Sequence, residues 1–198
     1  MSKRTFGWAL LALMLLIGTV PRVADSAAQD DPTAEAGEGS SRYFPEAAAL
    51  GEEWTQERTS GLQVPSDVFR EGAIAIYSGP ASARAVVLVF LATDSRVAVR
   101  QSWELATETF DEYRYQVAVD YDYELEERLE GLEPPMGCVE AKRVEGSDRG
   151  FGFLAGITMC AIDPDVILLA IVTGSLGDES GYAASDALVG TALTHAGT

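Results

Sequence analysis

The chain has 198 residues, 47% of them hydrophobic, and carries 31 acidic against 14 basic side chains for a formal net charge of −17. That balance argues against nucleic acid and against direct binding to an anionic membrane, because both demand a basic patch. It bears on solubility and self-repulsion and leaves fold and activity open.

The N-terminus reads as a signal peptide. Lys3 and Arg4 make a positive start, and Phe6 to Val20 is an apolar run. Such a run suits a secretory h-region and falls short of the roughly 20 apolar residues of a spanning helix. Ser26, Ala27 and Ala28 are small, which places cleavage after Ala28 and the mature start at Gln29. An uncleaved N-terminal anchor is the alternative. No cysteine directly follows the run, so a lipoprotein anchor is not expected. Residues 1–28 take Lys3, Arg4, Arg22 and Asp25 with them, leaving a net charge of −19 and a single lysine, Lys142. Residues 29–43 are acidic, small and free of large aliphatics, which predicts a disordered tether. Residues 44–198 then form one domain long enough for its own core.

Within that domain, Phe44 to Trp54 predicts a short helix with Pro45 near its start. Strands follow at "WTQERT" and "GAIAIYSG", and at Arg84 to Ala92, an apolar run without alternation that predicts a strand covered on both faces. Val99, Trp103, Ala106, Phe110, Tyr113 and Val117 recur at spacings of three and four, one apolar stripe of a helix capped at Asp94 or Ser95. Core packing against the sheet is the expected use of that stripe.

Asp120 to Glu133 is rich in acids, and Asp120, Asp122 and Glu124 are calcium candidates. As an EF-hand loop the stretch fails, because Leu125 holds the glycine position and Gly131 that of the bidentate glutamate. A solvated acidic edge is the expected role.

Cys138 and Cys160 are the two cysteines, with strand-like runs between them. In an exported chain a disulfide is the default. A hairpin centred on Arg149 places them directly opposite, where Cα atoms lie about 4.5 to 5.5 Å apart. Its loop would be Asp148-Arg149-Gly150, with Gly150 in the left-handed position. That register pairs Val139 with Met159 and Ala141 with Ile157 on the core face, and puts the disulfide on the other. The distant His195 makes a zinc set with these cysteines a poor fit. A second hairpin turns at Asp163-Pro164-Asp165 into the all-apolar Val166 to Val172, and "GYAASDALVGTALTH" closes the chain as a helix, with Tyr182, Val189 and Leu193 on one side.

The expected fold is therefore α+β: a largely antiparallel six-stranded sheet with helices packed on its faces, in the order α-βββ-α-βββ-α. This layout, from Ala47 to Leu193 with its early "LGEEW" and late "DPDVILLAIVTG", resembles the PsbP-like α/β sandwiches and the extracellular sensor-type domains of small secreted proteins of unknown role. The resemblance implies a binding, sensing or accessory role rather than catalysis. No cofactor motif is present: "GFGFLAG" lies inside a strand, and Ser175 lacks the surroundings of a nucleophile elbow. The functional expectation is a secreted or surface-exposed, non-enzymatic domain that binds a small ligand or protein. The alternative is an extracytoplasmic hydrolase with a carboxylate site, and a third option is an acidic surface protein without a specific ligand.

Overall fold

The computed structural model describes residues 35–93, 96–120, 123–127, 133–148, 153–163, 165–175 and 180–197. Two helical turns, α1 (Glu38–Ser41) and α2 (Ala47–Leu50), precede strands β1 (Thr55–Gly61), β2 (Phe69–Ser78) and β3 (Arg84–Ala92). Helix α3 (Arg96–Asp120) leads to strands β4 (Tyr123–Glu127), β5 (Glu140–Asp148), β6 (Leu154–Asp163) and β7 (Val166–Gly174). Helix α4 (Gly181–Ala196) ends the chain. The signal-peptide stretch, residues 1–28, the candidate cap at Asp94 or Ser95, and Gly150 lie outside the described residues.

The fold is α+β with one antiparallel sheet, in the order β1-β2-β3-β7-β6-β5-β4. Among the described residues, seven strands stand where six were expected. The addition is β4, taken from the acidic stretch that composition alone assigned to solvent. Its alternation explains it: Tyr123 and Leu125 face the core, while Glu124 and Glu126 are exposed. A half-buried edge strand needs only one apolar face. Acids on the other face of an edge strand also discourage pairing with a further chain.

The sheet divides the core into two layers. On one face, Ile74, Ile76, Leu88, Ile157, Met159 and Leu169 pack with Ala106, Phe110, Tyr113 and Val117 of α3. Trp103 is half-buried against the same layer. The 3.6-residue period that predicts the helix therefore also selects its buried stripe. The Tyr113 hydroxyl is buried without a hydrogen-bond partner among the described residues. Burial, with Glu112 beside it, pushes its phenol above the ordinary value.

On the other face, Ala75, Tyr77, Val87, Val89, Leu168 and Ala170 pack with Leu188, Val189, Ala192 and Leu193 of α4. Small side chains let α4 lie close. At Gly156 and Gly181 a Cβ would run into the backbone of the opposite element. The early part of the chain covers the remainder of this face. Residues 35–43, read as tether from their composition, fold back instead: Tyr43 is buried, and the Glu71 carboxylate accepts from the Ser40 backbone N–H (2.8 Å) and hydroxyl. Two buried aromatic residues at the end of a polar segment, Tyr43 and Phe44, supply the apolar area that composition averages hide. The predicted helix over 44–54 shrinks to the single turn α2, and the Tyr77 hydroxyl holds the preceding Pro45 carbonyl at 2.9 Å.

The turn between β2 and β3 is unusual. Ala81 (φ 49°) and Ser82 (φ 64°) both adopt left-handed backbone, and the Ala83 N–H closes the turn on the Pro80 carbonyl. This type I′ arrangement prefers Asn and Gly, since a Cβ there costs on the order of 1 kcal/mol per residue. Both residues are exposed, so no packing offsets that cost. Ala81→Asn combined with Ser82→Gly should therefore stabilise the domain by about 1 kcal/mol. Urea unfolding checks this, and a variant no more stable than the parent would contradict it.

Candidate binding site

Cys138 and Cys160 are bonded, with Cα atoms 5.5 Å apart. Their placement differs from the hairpin register expected of the sequence. The ladder pairs Ala141, not Cys138, with Cys160, and Lys142, not Val139, with Met159. Val139 is exposed while Met159 is fully buried. The register is thus displaced by three residues toward the C-terminal side of β5. The Asp148 N–H meets the Phe153 carbonyl at 3.0 Å, so the displaced register holds to the ends of both strands. The match in numbering pointed to a cross-strand pair, but the disulfide ties mid-β6 to the turn before β5. Nor does it lie away from the core: Cys160 belongs to the α4-side layer with Leu168, and Cys138 packs against that layer.

The segment 133–139 is consequently held at several points. The Cys138 N–H bonds the Pro135 carbonyl at 2.9 Å, and the Val139 N–H bonds the Ala161 carbonyl at 2.7 Å. Gly137 sits at φ +93°, and a Cβ there would also press on Leu193 of α4. Arg143 supplies a further tie. Its Nη2 donates to the Glu133 carbonyl at 2.7 Å, and its Nε lies 2.9 Å from both carboxylate oxygens of Asp186.

That ion pair anchors α4 to the sheet. Arg143 is only 4% exposed, and the Thr158 hydroxyl donates to Asp186 Oδ1 at 2.7 Å while lying 2.8 Å from Ser185 Oγ. The pairing Arg143–Thr158 on adjacent strands puts both side chains on the α4 face, where one turn of helix presents Ser185 and Asp186. A buried guanidinium demands this much hydrogen bonding, because an unpaired charge there is strongly unfavourable. Nothing in the sequence spacing singles out Arg143 and Asp186, since their meeting depends on how α4 crosses β5 and β6.

The fixed segment displays apolar side chains to solvent. Met136 is 95% exposed and Val139 75% exposed. Val139 and Glu140 line a groove of about 250 Å³ with Ser102 and Trp103 of α3, Ala161 and Asp163 of β6, and Ile167 of β7. Trp103, Val139 and Ile167 make its walls apolar; Glu140 and Asp163 are exposed and acidic. Neighbouring residues thus serve opposite faces, Cys138 bonding under α4 and Val139 facing the groove beside α3.

A second cleft, of about 370 Å³, lies on the other face and is lined by Glu124, Glu126, Glu145, Ser147, Leu154 and Ser180. Glu126 and Glu145 are direct cross-strand partners. Of the calcium candidates, Asp120 ends α3, Glu124 lies on β4, and Asp122 falls outside the described residues. Among the described residues, no group of three or more His, Cys, Asp or Glu side chains is arranged to hold a metal ion. His195 is exposed in the last turn of α4, and Ser175 follows β7. No family model matches the chain, and no curated protein matches it either.

Two outcomes follow from this geometry. Asp186→Ala strands a buried guanidinium and should cost about 3–5 kcal/mol, whereas adding Arg143→Met to Asp186→Leu should recover much of that loss. A double-mutant cycle in urea reads the coupling; additive single and double effects would mean that the pair does not act as a unit. Millimolar calcium should leave the melting temperature unchanged at constant ionic strength, and a saturable rise specific to calcium would restore the acidic stretch as an ion site.

Proposed function

We propose that this chain is an exported, non-enzymatic binding domain that recognises a partner through the 133–139 segment and the adjoining groove. One observation carries the reading. A disulfide, a buried ion pair and a tight turn all fix a segment whose outward side chains, Met136 and Val139, are apolar and exposed. Contiguous apolar surface exposed on a soluble domain marks an interaction site, and here Val139 adjoins Trp103 and Ile167 in the groove. Rigid presentation lowers the ordering cost of association.

Export rests on the signal-like residues 1–28, and bonded cysteines accord with an oxidising compartment. No helix among the described residues is long and apolar enough to cross a membrane. The likeness to PsbP-like sandwiches and extracellular sensor-type domains belongs to the same proposal and rests on the layout of the sequence from Ala47 to Leu193. Nucleic acid and anionic membranes stay outside the proposed partners, on the net charge of −17. A carboxylate hydrolase would use the cleft of Glu124, Glu126 and Glu145. Such chemistry needs one carboxyl in an apolar setting, whereas Glu124 and Glu126 stand exposed on an edge strand.

The test is selection from a random peptide library displayed on phage, against the intact, oxidised domain. Peptides should be enriched, and Val139→Asn should weaken them about tenfold or more without lowering the melting temperature. Enriched peptides that bind the Val139→Asn protein as well as the parent would remove the groove from the reading.

A further inference from the structure

Resting on the binding role proposed above, we propose that the groove beside α3 takes a cationic peptide segment bearing one large aliphatic or aromatic anchor side chain. The volume sets the first limit. About 250 Å³ is smaller than the roughly 300–1,000 Å³ of sites that enclose a small molecule, and it suits a single side chain inserted from outside. The walls set the second. Trp103, Val139 and Ile167 offer apolar surface to the anchor, and Met136, three residues before Val139 and outside the groove lining, is a further exposed apolar side chain of the same segment. Methionine adapts its shape to different side chains at low cost, which suits recognition of a peptide.

Charge sets the third limit. Among the described residues, Glu140 and Asp163 are the ionisable side chains lining the groove, both acidic and both exposed. The nearest lysine in sequence, Lys142, instead places its Nζ over the Phe110 ring, 5.8 Å from the centroid. The field of a chain with net charge −17 draws cations toward this surface and repels anionic segments. Rim charges of this kind govern encounter and salt dependence more than the strength of the final contact. An apolar anchor flanked by Lys or Arg answers all three limits. A lipid surface answers the apolar walls but makes no use of the acidic rim.

The experiment compares three short synthetic peptides by fluorescence anisotropy on the oxidised domain: a leucine flanked by lysines, the same leucine flanked by glutamates, and lysines with glycine replacing the leucine. The lysine-flanked leucine should bind saturably, with affinity falling about tenfold as salt rises from low to high. The other two should bind at least about tenfold more weakly. Glu140→Lys should abolish the preference for lysine flanks, and Val139→Asn the preference for leucine. Val139→Ser provides a milder second variant, and thermal melting verifies that each variant is folded. Equal binding of the glutamate-flanked peptide, or a preference untouched by Glu140→Lys, overturns the cationic partner. If library-selected peptides are neutral or acidic yet still depend on Val139, the binding site stands and the charge inference fails. If no peptide responds to Val139, both fall. Binding to phosphatidylcholine vesicles that Val139→Asn releases, with none to the lysine-flanked leucine, overturns the peptide in favour of a membrane.

Discussion

Strands β3 and β7 carry no polar side, and the rest of the molecule is arranged around that fact. Their side chains alternate between two faces as in any strand, so an unbroken apolar run requires cover on both. Leu88 and Leu169 meet on the α3 side, and Val87 and Ala170 on the α4 side. Central placement in the sheet follows, with β2 and β6 as flanks and the polar β1 and acidic β4 at the edges. The helix between β3 and β4 crosses one face; the final helix and the segment around Tyr43 and Phe44 cross the other.

The two layers differ in how they are sealed. The α3 layer is built from large aliphatic and aromatic side chains and is held by burial. Around Asp186 the α4 layer is joined to the sheet by polar means, the guanidinium of Arg143 and the hydroxyls of Thr158 and Ser185. Buried ion pairs of this sort add specificity of docking more readily than net stability. Here the guanidinium also reaches the Glu133 carbonyl, so the docking of α4 and the position of the segment before β5 share one side chain.

That shared side chain links the core to the surface. The segment 133–139 has no ladder of its own before Val139, yet the disulfide at Cys138 and the hydrogen bonds to Pro135 and Ala161 leave it little freedom. Its exposed apolar side chains therefore stand in a defined place relative to the groove and its acidic rim. A surface that is fixed before a partner arrives loses less entropy on binding than a loop that must first be ordered.

Local pattern was enough to read the strands at Arg84 to Ala92 and Val166 to Val172, the helical stripe from Ala106 to Val117, and the covering of both sheet faces, because burial imposes periods of 2 and 3.6 on the chain itself. Strand β4 was also legible in principle through the alternation of Tyr123 and Leu125 with Glu124 and Glu126, but the charge of the stretch masked it. The register of β5 on β6 was not legible. A shift of a few residues leaves an apolar pattern on each strand, and only contacts with β4, β7 and α4 select among the choices. The same is true of the Arg143–Asp186 pair and of the groove. Each is assembled from residues far apart in sequence, and their meeting is set by how whole elements cross, which no local spacing encodes.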